Sequence, residues 1–254
     1  MAGEHTVKQL QNDLNALGIQ AGDVVLMHSS FKSLGGIEDG AAGFYRGFLD
    51  LLGKKGTLVL PALSFRTVEA GGTFDVRETP VCVGYLPEYF RTNIEGVRRS
   101  LHPTHSCSAY GAAAEYMTTF HEYDHTPVGA NSPFRKMPTI GGKLLMLGCG
   151  LGPCTSMHGV EETIMPPYLL TPQEDPYTII DYEGKERTMY VRRHAFKIYG
   201  YAQRYARLEK VLPAGTFSRG KVLDADCWLV DTAALWRIGH RTMLDDPFFF
   251  VDKL

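Results

Sequence analysis

The chain has 254 residues, 44% of them hydrophobic, which is enough for one large α/β domain with a sizeable core and too apolar for disorder. A net charge of −2 excludes general attraction to nucleic-acid phosphates or to an anionic membrane surface. No apolar run is long enough to span a bilayer, no leader peptide is evident, and five cysteines without paired spacing suit a reducing cytoplasm.

The first element is a packing helix from Thr6 to Leu17, with Val7, Leu10, Leu14 and Leu17 at helical spacing and Gly18 to close it. Asp23 to His28 reads as a buried strand. It runs into Ser29-Ser30-Phe31-Lys32-Ser33-Leu34, a small polar loop whose hydroxyls, backbone N–H groups and one cation could hold a phosphate or an amide-bearing chain. It is not a P-loop, because the Gly-Lys-Ser/Thr spacing is missing. A helix from Gly40 to Leu52 and a strand at Thr57 to Pro61 continue a β-α-β alternation, which predicts a mostly parallel sheet with helices on both faces. Ser64 to Val83 is long and polar for a connection and reads as a flap or substrate loop, with Asp75 free to pair with Arg77 or with an amine. A helix is expected near Tyr85 to Arg91.

Arg98-Arg99-Ser100-Leu101-His102-Pro103-Thr104-His105-Ser106 gathers two guanidinium groups, two imidazoles and three hydroxyls in one loop before a helix expected near Ser108. Arg forks suit phosphate oxygens. His102 and His105, three apart, raise a competing zinc site, with His158 as a further ligand in a metal-assisted hydrolase. Pro103 between them and the lack of a third ligand at matched spacing argue against it, and no metal is expected. His121 to Lys136 is irregular and turn-rich. A hairpin of Tyr177 to Tyr182 with Arg187 to Val191 follows, and it could cover a site or meet a second subunit. The tail holds a helix from Ala195 to Leu208, a strand at Cys227 to Val230, and a last helix capped by Asp231 or Thr232.

The stretch with most chemistry lies between the irregular segment and the hairpin. Lys143 to Leu147 is a short apolar strand, and Gly148 to Pro153 permits a sharp turn before a helix opens at Thr155 or Ser156. Loops leaving the carboxyl ends of parallel strands ring the ligand crevice of α/β proteins. On such a helix His158 and Glu161 share a face with Cβ atoms about 5–6 Å apart. The Glu would fix the tautomer of the imidazole, and its charge opposes the helix dipole, so a His titrating near neutral pH and able to accept a proton is expected. Thr155 sits three residues before it on the same side. Cys154 is a conceivable acyl carrier, although burial is the commoner fate of a small cysteine.

Taken together these loops resemble the aminoglycoside 3-N-acetyltransferase (antibiotic N-acetyltransferase) family. The resemblance rests on His28-Ser29-Ser30-Phe31-Lys32 with Leu34-Gly35, on Phe74-Asp75 with Thr79-Pro80, Gly84 and Glu88, on Arg99-Ser100-Leu101-His102-Pro103 with Ser106 and Gly111, on Pro127-Val128-Gly129 with Ser132-Pro133, and on Thr155, His158 and Glu161. It implies one domain over residues 1–254 with a three-layer α/β/α fold, distinct from that of the GNAT acetyltransferases. It implies acetyl-CoA as co-substrate, direct transfer to an amine of an aminoglycoside, His158 as general base oriented by Glu161, and Thr155 near the acyl group. The loops from His28 to Leu34 and from Arg98 to Ser106 would face the coenzyme, Asp75 and Glu162 would contact the acceptor, and a homodimer would be reasonable. A different amine as acceptor, or an inactive CoA-binding homologue, are the other outcomes such a chain allows. Val81 and the Gly159-Val160 pair depart from the family's pattern; the glycine would loosen the helix by up to about 1 kcal/mol.

Overall fold

Residue alternation along the strands assigns the layers. In this computed structural model, which describes residues 5–254, Val25, Met27, Leu58, Leu60, Leu145 and Leu147 pack on one face of the sheet, and Leu26, Val59, Leu144 and Met146 pack on the other. The strands are β1 (Val24–Ser29), β2 (Thr57–Pro61), β3 (Thr73–Asp75), β4 (Arg98–Arg99), β5 (Cys107–Gly111), β6 (Lys143–Leu147), β7 (Asp175–Ile180), β8 (Glu186–Val191), β9 (Tyr201–Gln203), β10 (Phe217–Val222), β11 (Ala225–Asp231) and β12 (Val251–Lys253). The helices are α1 (Val7–Leu17), α2 (Gly40–Leu52), α3 (Tyr85–Asn93), α4 (Ala114–Thr118), α5 (Pro133–Lys136), α6 (Ser156–Ile164), α7 (Leu208–Val211) and α8 (Thr232–Asp245). Side chains of α1, α2 and α3 cover the first face, and those of α4, α5, α6 and α8 cover the second, so the three layers are as expected.

The central sheet has seven strands in the order β10-β11-β6-β1-β2-β5-β4. Its parallel part is narrower than the β-α-β alternation implies: β6, β1 and β2 run together, while β5, β4, β11 and β10 join antiparallel. The three parallel strands suffice to set the site, because their carboxyl ends deliver Ser29, Pro61 and Leu147 to one edge of the sheet. A smaller sheet, β3-β7-β8, uses the expected hairpin, with β3 from the Ser64 to Val83 segment added parallel to β7 and its own core around Phe74, Tyr177 and Val191. The flap is therefore tied to the hairpin rather than free.

Local signals held where the chain ends its helices. Thr6 closes a capping box with Gln9 at the start of α1, Gly18 ends it in the left-handed region, and the Asp231 carboxylate accepts from the Ala234 N–H at 2.6 Å to open α8. Two expected helices are absent from those positions. Residues around Ser108 form β5, where the buried residues Cys107 and Ala109 belong to the core and the strand pairs with β2. Between Ala195 and Leu208 the chain makes a turn, the short strand β9 paired with β12, and a single 3-10 turn at Tyr205–Arg207, because a backbone pairing with the chain's end replaces the helix.

Candidate active site

The turn after β6 depends on a close approach that a larger residue would block. Gly148 has φ of 66°, and a Cβ there would stand 2.5 Å from Ser33 Cβ. Ser33 Oγ donates to Gly148 O at 3.1 Å and lies 2.8 Å from the Ser30 hydroxyl, from which it can accept, which ties the loop after β1 to the loop after β6. The loop from Gly148 then delivers Thr155 and α6 to the mouth of a cleft of about 740 Å³, lined by His105, Thr155, His158, His194 and Gln203 among others. Gly159, expected to loosen α6, sits at a close packing contact. A Cβ there would lie 2.4 Å from Trp236 Cη2 and 2.7 Å from Val128 Cγ1, so the glycine lets α8 and the Pro127 turn pack against the helix.

His158 and Glu161 meet as the spacing predicted, Nδ1 to Oε2 at 3.3 Å, with Glu161 fully buried. The structure adds a residue that the sequence did not mark. Tyr205 Oη lies 2.8 Å from His158 Nδ1 and donates to Glu161 Oε2 at 2.5 Å. A tyrosine that donates to the carboxylate uses its lone pair to accept from Nδ1–H, so the tautomer that satisfies all three groups leaves His158 Nε2 as the unprotonated nitrogen. Gln203 Nε2 is 3.4 Å from that atom. Burial and the adjacent Glu161 charge push the Tyr205 phenol well above its usual range, so it remains a donor. Tyr168 Oη adds a longer contact to Glu161 Oε1 at 3.4 Å. Nothing local could have pointed to Tyr205, which stands 44 residues from Glu161.

Two further imidazoles face the same cleft. His194 stacks on His158 with ring centroids 4.0 Å apart, and His105 meets His194 edge-on at 4.9 Å. Burial lowers both below the ordinary histidine range, with neighbouring imidazoles adding to the effect. The trio is not the one expected for a metal-assisted hydrolase. His102 Nδ1 accepts from the backbone N–H of Thr104 at 3.2 Å and of His105 at 3.0 Å, and its ring stacks on His121, so it shapes the loop from inside.

The expected coenzyme-facing residues divide into two groups. His28 and Ser29 line a narrower cavity of about 100 Å³ that shares Thr155, Pro153, Leu63 and Val83 with the cleft. His28 Nε2 and Ser29 Oγ are buried with no hydrogen-bond partner among the described residues. Burial holds the His28 imidazole down to about 4, with His158 adding to the effect. Ser30 binds Ser33, Phe31 is half-buried against Phe44 and Tyr85, Lys32 is exposed, and Leu34 is core.

The second loop is turned inward. Arg99 is 2% exposed, and its guanidinium donates to Ser106 Oγ at 2.9 Å, Thr79 O at 2.6 Å and Ala62 O at 2.8 Å while lying over the Phe74 ring. Ser100 Oγ pairs with His121 Nδ1 and accepts from Cys107 N, Ser106 Oγ donates to Ala62 O, and Pro103 O accepts from Ser64 Oγ. Arg98 is exposed in a separate pocket beside Lys54 and Tyr110, at the end of the sheet where β2 begins. A dense set of polar donors can thus be consumed in joining a loop to its own core.

Of the expected acceptor contacts, Asp75 Oδ1 takes the backbone N–H groups of Arg77 and Glu78 and builds a turn. Glu162 accepts from Thr126 Oγ1 at 2.6 Å and Val128 N at 2.8 Å, with burial raising its carboxyl above the usual range. Cys154 is fully buried, and its thiol is pushed up to about 12, which leaves negligible thiolate for acyl transfer at neutral pH.

The mixed α/β sheet and its covering helices define a fold that this chain shares with solved aminoglycoside acetyltransferases. Aminoglycoside acetyltransferase AAC(3)-IVa, solved as a histidine-to-alanine mutant in complex with a gentamicin, is 27% identical with a TM-score of 0.81, covering 98% of this chain and 92% of that one. AAC-IIIb, solved as a binary complex with CoASH, is 25% identical with a TM-score of 0.82, covering 96% and 97%. The chain itself belongs to the aminoglycoside 3-N-acetyltransferase family, whose sequence model matches residues 26–244. Aminoglycoside N(3)-acetyltransferase III of a Salmonella species is 32% identical over 173 residues, a stretch that covers 62% of this chain and 60% of the relative's length.

Proposed function

We propose that the protein transfers the acetyl group of acetyl-CoA directly to an amine of an aminoglycoside, at its 3-amino group, with His158 as general base. The observation that carries this reading is the His158–Tyr205–Glu161 arrangement, which turns an unprotonated Nε2 toward the cleft. The neutral amine nitrogen attacks the thioester carbonyl, and the proton it sheds goes to His158 Nε2. The C–S bond then breaks, and the coenzyme thiolate takes the proton from the imidazolium, which restores the base. A base in this position typically contributes about 10²–10⁴-fold. Thr155, which lines both cavities, lies where the acyl group would pass between them, and the unpaired His28 and Ser29 groups supply contacts for the thioester arm.

An acceptor other than an aminoglycoside is the second reading, favoured by the cleft's own charges. Arg193 and Lys197 stand on its wall beside Glu69, the one carboxylate among its described lining residues, and a polycation would rather meet several. The reading includes one unit over residues 1–254, supported by the two cores sharing one sheet, a cytoplasmic site of action, supported by five free cysteines, and a homodimer joined through the β7–β8 arm, where Tyr190 is half exposed. Purified protein incubated with acetyl-CoA and a panel of aminoglycosides and simpler amines should release free thiol with at least one aminoglycoside, and His158→Ala should abolish that release. Release with simple amines alone establishes the second reading; full turnover in His158→Ala removes the base.

A further inference from the structure

The three imidazoles in the cleft come from separate parts of the chain: His105 from the loop before β5, His158 from α6, and His194 from the segment after β8. One ring nitrogen of each lies within 4.8 Å of one from each of the others, and all three rings line the cleft. A tetrahedral zinc ion with Zn–N of about 2.0–2.1 Å needs its nitrogens about 3.4 Å apart and its imidazole planes converging on the ion, so side-chain rotations that open the His158–His194 stack and close the trio by up to about 1.4 Å would complete the site. Three protein ligands with the fourth position open to the cleft is an arrangement that zinc accepts readily.

Two of the rings are hydrogen-bonded from behind at one nitrogen, and the third faces a carboxylate without a hydrogen bond to it. His105 Nδ1 is 2.9 Å from Thr104 Oγ1, His158 Nδ1 meets Tyr205 and Glu161, and His194 Nε2 is 3.5 Å from Glu162 Oε1. Metal-bound histidines are oriented by such contacts, and carboxylates behind the ring offset the charge of the cation. From this geometry we infer that His105, His158 and His194 form a site for a divalent first-row cation, zinc being the probe, whose occupancy blocks the cleft by capturing the lone pair of His158. The metal is an inhibitor here, not a cofactor. Blockade rests on the proposed role of His158, while binding does not.

The test is titration of chelator-treated full-length protein with Zn²⁺, read by competition with a chromophoric chelator, and with Co²⁺, read by the visible d–d absorption of a four-coordinate site. One zinc per chain and an intense tetrahedral cobalt spectrum are expected, with thiol release suppressed by zinc and restored by chelator. His194→Gln and His105→Gln, checked for fold by circular dichroism, should each lower zinc affinity by at least about tenfold, since losing a ligand costs more than losing an outer partner. Absence of stoichiometric zinc binding to the wild-type chain, or equal affinity in folded variants, overturns the site. Zinc binding by a chain that acetylates nothing leaves the site standing and removes the proposed activity; acetylation by a chain that ignores zinc does the reverse.

Discussion

Replacing Tyr205 with Phe removes one oxygen atom and leaves the ring in the core beside Phe250. That oxygen contacts His158 Nδ1 at 2.8 Å and donates to the buried Glu161 Oε2 at 2.5 Å, so its loss leaves the carboxylate with the direct 3.3 Å contact to the imidazole and the longer one from Tyr168. A hydrogen bond to a charged group contributes about 1.5–3 kcal/mol. If the bond is fully used only when His158 carries a proton in the transition state, kcat falls by about 10- to 150-fold while KM changes little. Steady-state thiol release at saturating acetyl-CoA, measured across pH, separates this from misfolding, because a purely structural defect would lower the active fraction without moving the pH profile. A kcat within about a factor of two of wild type, with an unchanged pH profile, would refute the role of Tyr205.

Acid should unfold the protein early. His28 binds its proton at about 4 when folded and at 6.5 when free, so below 6.5 the unfolded chain holds more protons and stability falls with pH. That stability is intact above pH 6.5, and its loss reaches about 3 kcal/mol from His28 alone by pH 4. His102, His105, His121 and His194 are lowered in the same direction by burial, and a melting temperature unchanged from about pH 7.5 to 5 would contradict the sum. Gly159→Ala should destabilise by about 1–3 kcal/mol through the clash with Trp236 and Val128, despite the better helix former, as denaturant melts will register. Arg99→Met strands the acceptor at Thr79, leaves Ala62 O with Ser106 Oγ as its remaining side-chain donor, and should cost about 1–3 kcal/mol; a lowered acetyl-CoA affinity at unchanged stability would show that the guanidinium serves the coenzyme instead. Ser29→Ala should raise the KM for acetyl-CoA with little change in melting temperature, because its hydroxyl is buried without a partner among the described residues, and an unchanged KM would remove it from the binding site.

The sequence by itself determined the apolar strands, the capped ends of α1 and α8, the turn after β6 and the His158–Glu161 pair, all of them features whose causes lie within a few residues along the chain. It also carried the family, because motif order survives without knowledge of contacts. The tertiary structure alone decided which polar groups look outward. Arg99, Ser100, His102 and Ser106 look like ligand-binding donors in sequence and are spent on the loop's own core, while Tyr205, His194 and Gln203 look like nothing in particular and converge on His158. The physical reason is distance along the chain. A hydrogen bond across three residues is set by helix pitch, whereas one across 44 exists only after β9 has paired with β12 and carried Tyr205 back to α6.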